Sequence, residues 1–225
     1  MSSEWISLSE LGYWVFPTRN RQKYPTTFSN KNWDTFIEDN EQELLHAHLL
    51  HEAGTGAALC PQPSDQVGLL ILDLDTYGMA FDDLWPHVCP GEKPDPTVLV
   101  VGSPSGGFHL WFKLPESVNA DRLPATFDFG EGVTGEVRAS SKARRLIMLP
   151  SSTVVNKNGK TAKYKILQGK LDPATLPEPP SPLMSRLIAR KDQGKATQAN
   201  KPTEVMHFIE LLEQLPPCLL YTSPS

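Results

Sequence analysis

The sequence predicts an α+β fold in which a central mixed or antiparallel sheet is flanked by helices. Helical and extended patterns alternate over the first 190 residues, and six short runs of apolar residues are bounded by Gly, Pro, Asp or Ser. The chain has 225 residues, of which 39% are hydrophobic. A chain of this size can bury a core without disulfides or a structural metal.

The elements are predicted in the following order. The strongest helix pattern covers residues 30–52, where Ser29 or Asn30 can cap a partly apolar face. A shorter helix is predicted over residues 80–85. Strands are predicted over residues 68–75, 97–102, 108–113, 135–139, 145–149 and 163–167.

Three parts are expected along the chain. Residues 1–190 form one folded domain, whose last part contains five prolines within residues 173–182 and is therefore extended. Residues 191–202 form a polar linker. Residues 203–225 are predicted to hold a short helix and a tail that is non-native or truncated.

Composition and charge exclude several classes of protein. The net charge is −5, which excludes a uniformly basic nucleic-acid coat. Three cysteines are too few for a disulfide framework. The sequence shows no signal peptide and no apolar run long enough to cross a membrane, so a soluble cytoplasmic protein without a membrane partner is expected.

The charges are nevertheless unevenly placed. Nine basic residues and no acidic residue lie between Arg138 and Lys170. A stretch of one sign suits a phosphate backbone, and Lys142, Arg144 and Arg145 are its candidate DNA contacts. The alternative is a solvated hairpin.

The segment LLILDLD predicts a strand that presents two carboxylates on one face. Successive strand side chains point to opposite faces, so Asp73 and Asp75 share one face and the leucines at 70, 72 and 74 share the other. Neighbouring carboxylates repel unless a cation or proton lies between them, and Mg²⁺ or Mn²⁺ prefers such oxygen ligands. The alternative is that one aspartate only ends the strand and caps a turn.

The segment SPSGGFHLWFK predicts a glycine turn followed by a strand. Gly106 and Gly107 allow positive φ, and the N–H groups of such a turn can form an anion nest for phosphate. Alternation then places His109 and Trp111 on one face, where His109 could contact a triphosphate and Trp111 could stack on a base or sugar. The alternative is a hairpin turn with a surface histidine.

The segment GEVR predicts a strand in which Glu136 and Arg138 share one face and Val137 takes the other. Glu136 could supply a third carboxylate. Arg138 could steady that carboxylate or bind a phosphate.

Together these segments resemble the bifunctional primase-polymerase (prim-pol) family of the archaeo-eukaryotic primase superfamily, which is common in phages and plasmids. Five pieces within residues 5–190 follow the family's order. They are GYWVFPTRNRQKYP, GTGAALCPQPSDQVGLLILDLD, SPSGGFHLWFK, GEVRAS and LIMLPSSTVVNKNGKTAKYKIL. They resemble the family's aromatic-Pro-Lys-Pro opening, its D-x-D strand, its Ser-Gly-Gly-x-His strand, its third acid followed by Arg, and its Pro-Ser turn with a closing tyrosine strand.

The resemblance implies an archaeo-eukaryotic primase-like fold and a prim-pol catalytic domain over residues 1–190. The implied activity is two-metal nucleotidyl transfer that makes or extends primers on a single-stranded DNA template from nucleotide triphosphates. The implied ligands of Mg²⁺ or Mn²⁺, which are also the catalytic residues, are Asp73, Asp75 and Glu136. The implied nucleotide-binding residues are Ser105, Gly106, Gly107, His109 and Arg138.

The resemblance also implies a replicative helicase as a further partner, and the cytoplasm of a prokaryotic or phage-infected cell as the location. The family usually has Asp where this chain has Glu136. Two alternatives follow from the residues. One is a prim-pol-like replication module that binds DNA or nucleotides without catalysis, and the other is a metal-dependent nuclease.

Overall fold

The computed structural model describes residues 3–18, 21, 39, 42–51, 56–60, 68–76, 78–139, 146–155 and 158–189. Three sets of predictions lie outside the described residues. These are the candidate DNA contacts Lys142, Arg144 and Arg145, most of the first half of the helix predicted over 30–52, and the linker and tail from residue 191 onward.

Four α-helices and eleven short strands make up the described part of the chain. The helices are α1 (Ser3–Glu10), α2 (Gln42–His51), α3 (Phe81–Val88) and α4 (181–189), with a 3₁₀ helix at Ala120–Arg122. The strands are β1 (Trp14–Thr18), β2 (Gly56–Cys60), β3 (Leu69–Asp75), β4 (Leu99–Gly102), β5 (Phe108–Lys113), β6 (Thr126–Gly130), β7 (Val133–Arg138), β8 (Ile147–Met148), β9 (Thr153–Val155), β10 (Thr161–Lys163) and β11 (Lys165–Gln168).

The main sheet has six strands in the order β11-β4-β5-β3-β7-β6. A smaller sheet has the order β1-β2-β8, and β9 and β10 form a hairpin. Every strand pair of the described residues is antiparallel. The predicted α+β fold with a central sheet and flanking helices is confirmed, and the sheet is antiparallel.

Both faces of the main sheet are covered, and the alternation of β3 decides which core each residue joins. Leu70, Leu72 and Leu74 belong to the first core, where the sheet packs against α3 and α4. Leu69 and Ile71 belong to the second core, which includes residues of the small sheet and of α1. A fully buried leucine or isoleucine contributes roughly 1.5–3 kcal/mol, so the two cores fix the register of this strand.

The sequence predicted the central strands well and the short elements less well. Strand β5 has the predicted bounds, and β3, β4, β7 and β8 lie within three residues of theirs. The strand predicted over 163–167 is divided at Tyr164, because the chain leaves β9 there and pairs with β4 instead. Helix α3 continues past the predicted end through Pro86, because Trp85 and Val88 are held in the first core.

Two further aspects of organisation stay predictions. They are the domain edge near residue 190 and the cytoplasmic location. In the part of the chain that the structure describes, no helix has both the length and the apolar character that a membrane crossing requires.

Candidate functional site

Three of the predicted site residues form one row across the middle of the main sheet. Asp73 of β3 lies opposite His109 of β5 on one side and opposite Glu136 of β7 on the other. Directly opposed residues of antiparallel strands point to the same face, so all three side chains emerge together. This is the face of the second core, because Ile71 lies two residues before Asp73 on the same strand.

The two carboxylates of this row are bridged by a guanidinium. Arg138 Nη2 lies 3.1 Å from Asp73 Oδ2 and 2.5 Å from Glu136 Oε2. The side chains of Asp73 and Glu136 are 30% and 40% exposed, whereas that of Arg138 is 18% exposed. The positive charge therefore lies at the floor of the site and the carboxylates reach solvent. The predicted shared face of Glu136 and Arg138 is confirmed.

His109 is a buried member of the site rather than a surface histidine. It is 2% exposed, and its Nε2 lies 3.4 Å from Asp73 Oδ1. The Tyr164 ring packs on it with ring centroids 5.2 Å apart. The imidazole is thus held between a carboxylate and an aromatic ring, in a position where a protonated His109 would add a second positive charge beside Asp73.

Tyr164 belongs to this site, although it was not among the candidate site residues. It is 4% exposed, and its backbone N–H donates to the Ser152 carbonyl at 2.9 Å. Burial raises the pKa of its phenol well above the usual value, the Asp73 carboxylate raises that pKa further, and Arg138 acts in the opposite direction. The phenol is therefore neutral near pH 7. The sequence signal for it was the tyrosine in LIMLPSSTVVNKNGKTAKYKIL, the segment that resembles the closing strand of the family.

The turn before β5 is held by hydrogen bonds of its own backbone donors. The Gly106 N–H donates to the Ser103 carbonyl at 3.1 Å, and the Gly107 N–H donates to Ser103 Oγ at 3.0 Å. Thr76 Oγ1 donates to the Gly106 carbonyl at 3.1 Å and ties the turn to the end of β3. These two N–H groups therefore serve the turn itself, and nucleotide contact by Ser105, Gly106 and Gly107 stays a prediction. Ser105 is exposed, with its Oγ 3.0 Å from Ser103 Oγ.

Two glycines let the neighbouring strands approach the backbone that carries Asp73. A Cβ on Gly107 would lie 2.2 Å from the Leu74 carbonyl oxygen, and a Cβ on Gly135 would lie 2.1 Å from the Asp73 carbonyl oxygen. These contacts are with backbone, which cannot move aside as a flexible side chain can. Gly107 therefore serves the packing of the site.

The structure places the two remaining candidates differently. Asp75 is exposed and lies opposite Thr134 at the end of β3, outside the row that His109 and Glu136 form with Asp73.

Trp111 is fully buried in the second core, so the prediction that it could stack on a base or sugar was wrong. Trp111 shares this core with residues of the small sheet, whereas the Asp73 side chain on the same face of the main sheet is 30% exposed.

The donor atoms suit a hard divalent cation, although the carboxylates are now paired with an arginine. Asp73, Asp75 and Glu136 offer the oxygen ligands that Mg²⁺ and Mn²⁺ prefer, and all three reach solvent. In the described part of the chain, no group of three or more His, Cys, Asp or Glu side chains is arranged to hold a metal ion. Arg138 takes the position between Asp73 and Glu136 instead.

Comparison with curated proteins finds no match. A family model described as bifunctional DNA primase/polymerase, N-terminal, matches residues 6–179, about three quarters of the chain. The matched range includes the whole row of site residues and Tyr164. The resemblance of the five sequence pieces to the prim-pol family is therefore confirmed, and the chain belongs to the bifunctional DNA primase/polymerase (Prim-Pol) family through its N-terminal domain.

Proposed function

We propose that this chain is a DNA primase-polymerase that makes or extends primers on a single-stranded DNA template from nucleotide triphosphates. The observation that carries the proposal is the row of Asp73, His109 and Glu136 on one face of the main sheet. It supplies acidic oxygens and an imidazole next to each other, and the family of the chain is that of primase-polymerases.

Each residue has a distinct part in this proposal. Asp73, Asp75 and Glu136 would hold Mg²⁺ or Mn²⁺, which supplies activation of the 3′-hydroxyl and neutralisation of the triphosphate charge. His109, fixed by Asp73 and Tyr164, contacts the triphosphate. Arg138 lies among the carboxylates and offers its charge to the phosphates. The protein then acts mainly by positioning and by stabilising charge at phosphorus.

The test is a template-extension assay with Mg²⁺ or Mn²⁺ on a labelled primer. Asp73→Ala and Asp75→Ala are each expected to reduce nucleotide incorporation at least 100-fold, a magnitude on the order of that found when a group stabilising transition-state charge is removed. Asp82→Ala is the matched control, because Asp82 is an exposed carboxylate on α3, which packs against the opposite face of the sheet. Normal incorporation by the Asp73 or Asp75 variant would contradict the proposal.

One observation favours a second candidate, a prim-pol-like module that binds DNA or nucleotides without catalysis. Arg138 already forms ion pairs with the carboxylates of both Asp73 and Glu136. Glu136 also stands where the family usually has an aspartate. This candidate predicts binding of DNA or nucleotide triphosphates with no incorporation under either metal. Release of nucleotides from a labelled strand without added triphosphates would indicate a nuclease instead.

A further inference from the structure

A second concave surface lies on the other side of the segment that holds Tyr164, where β10 ends and β11 begins. It is a groove of about 590 Å³, bounded by the β9–β10 hairpin on one side and by the end of β4 with its following turn on the other. Its lining residues include Ser103, Thr153, Thr161, Lys163, Lys165 and Leu167. The volume is within the range of sites that bind molecules as large as one or two nucleotides.

The described residues that line the groove carry charge of one sign. Lys163 and Lys165 are exposed and make no ion pair with a described residue, and no acidic residue is among the described residues that line the groove. At the rim of the groove, Arg21 Nη1 donates to Thr161 Oγ1 at 3.0 Å. On an extended chain the Cα atoms of residues i and i+2 are separated by roughly 6.6 Å. This separation allows Lys163 and Lys165 each to reach its own phosphate.

The groove also offers apolar surface, and it is adjacent to the candidate active site. The Leu167 side chain is 56% exposed at one side of it. Tyr164 points inward to His109, whereas its neighbours Lys163 and Lys165 point outward into the groove. Tyr164, between β10 and β11, therefore separates the groove from the row of Asp73, His109 and Glu136.

We propose that this groove binds the sugar-phosphate backbone of single-stranded DNA and leads the strand past the candidate active site. The lysines contact successive phosphates, and Leu167 packs against a sugar or base. Such a combination of a charged groove with an apolar platform is typical of sequence-independent binding to single strands. The choice of DNA as the partner rests on the proposed function.

The test is fluorescence anisotropy with a labelled single-stranded oligonucleotide, on the full chain and without nucleotides or divalent metal. The double variant Lys163→Gln/Lys165→Gln is expected to bind roughly tenfold more weakly at low salt, with the same loss for oligo-dT and for a mixed sequence. Loss of two phosphate contacts should make the negative slope of log affinity against log salt less steep by about 1.4.

The matched control is Lys93→Gln/Lys170→Gln, which removes the same charge from exposed lysines outside the groove. It should bind within twofold of the wild type. An equal loss in both double variants, or none in either, would overturn the proposal. A loss confined to binding of a fluorescent nucleotide triphosphate would also overturn it, because the groove would then hold the nucleotide.

Failure of this proposal and failure of the proposed function give different results. Oligonucleotide binding and template extension are therefore measured in parallel on the wild type, the groove variant and the lysine control. A strand-binding chain that incorporates no nucleotide would contradict catalysis alone, whereas an active chain whose groove variant binds the strand normally would contradict the groove alone.

Discussion

Arg138 contacts both carboxylates that neighbouring strands bring together at the centre of the main sheet. Without it, Asp73 and Glu136 would face each other across β3 and β7 as like charges, an arrangement that is unfavourable in a cross-strand pair. The guanidinium lies deeper than the carboxylates. At the scale of single residues, the same arginine therefore stabilises the fold and competes with a divalent cation for the carboxylate oxygens.

We expect Arg138→Gln to lower the free energy of unfolding by about 1–2 kcal/mol in the absence of divalent metal, because a partly buried charge-assisted interaction is lost. Urea unfolding measures this change. Added Mg²⁺ or Mn²⁺ should raise the midpoint of the variant more than that of the wild type, since a cation can replace the missing charge.

Arg122→Gln is the control for Arg138→Gln, because Arg122 is an exposed arginine in the 3₁₀ helix. It should change neither the midpoint nor the response to metal. If Arg138→Gln unfolds at the wild-type midpoint with and without metal, the bridge contributes nothing to stability.

At the scale of elements, the neighbouring strands approach the backbone of β3 more closely than residues with a Cβ would allow. Gly135 of β7 lies against the Asp73 carbonyl, and Gly107 at the start of β5 lies against the Leu74 carbonyl. Phe127 of β6 closes the other side of Gly135, with its ring 2.8 Å from where a Cβ would lie. The position of the Asp73 side chain thus depends on two residues that have no side chain.

Gly135→Ala should separate β7 from β3 and lower the free energy of unfolding by about 2–4 kcal/mol, since a Cβ would overlap a backbone oxygen. Chemical denaturation is the measurement. Gly130→Ala is the control: its φ of +88° imposes strain on alanine, about 1–2 kcal/mol, but there is open space around its Cβ. A Gly135 variant as stable as the Gly130 variant would show that the strands can move apart at little cost.

The elements also show what a pattern of side chains can and cannot predict. The alternation in LLILDLD and GEVR gave the correct faces for Asp73, Glu136 and Arg138, because alternation is a local property of any strand. The division at Tyr164 was missed because it depends on two different strands, β9 and β4, which pair with the chain on either side of it. The turn at Gly106 was identified, but its hydrogen bonds were not, because they depend on Ser103 and Thr76.

At the scale of the whole molecule, the second core contains two buried tyrosines. Tyr13, which follows α1, and Tyr164, beside the site, belong to the same cluster. Burial raises the pKa of Tyr13 to about 12, and burial together with Asp73 raises that of Tyr164. The unfolded chain would release both protons near pH 10, so the folded state holds more protons above that pH.

Titration of these tyrosines should therefore leave the free energy of unfolding unchanged below about pH 10. As the pH rises from there toward 12, the free energy of unfolding should fall by up to about 1.4 kcal/mol per pH unit for each phenol. Urea unfolding from pH 8 to pH 11.5 measures this slope. Tyr13→Phe should flatten it, and below pH 9 the curves of variant and wild type should run parallel. Equal slopes above pH 10 would show that the Tyr13 phenol does not contribute.

The sequence alone determined the fold class, the family, the central strands and the face on which each carboxylate lies, because these depend on alternation and on motifs within a few residues of each other. The tertiary structure decided the rest. It buried Trp111 under the small sheet, placed Tyr164 on His109, and put the Arg138 guanidinium between Asp73 and Glu136. Each of these results depends on which distant strands pair and in which register, and a local pattern contains no information about that choice.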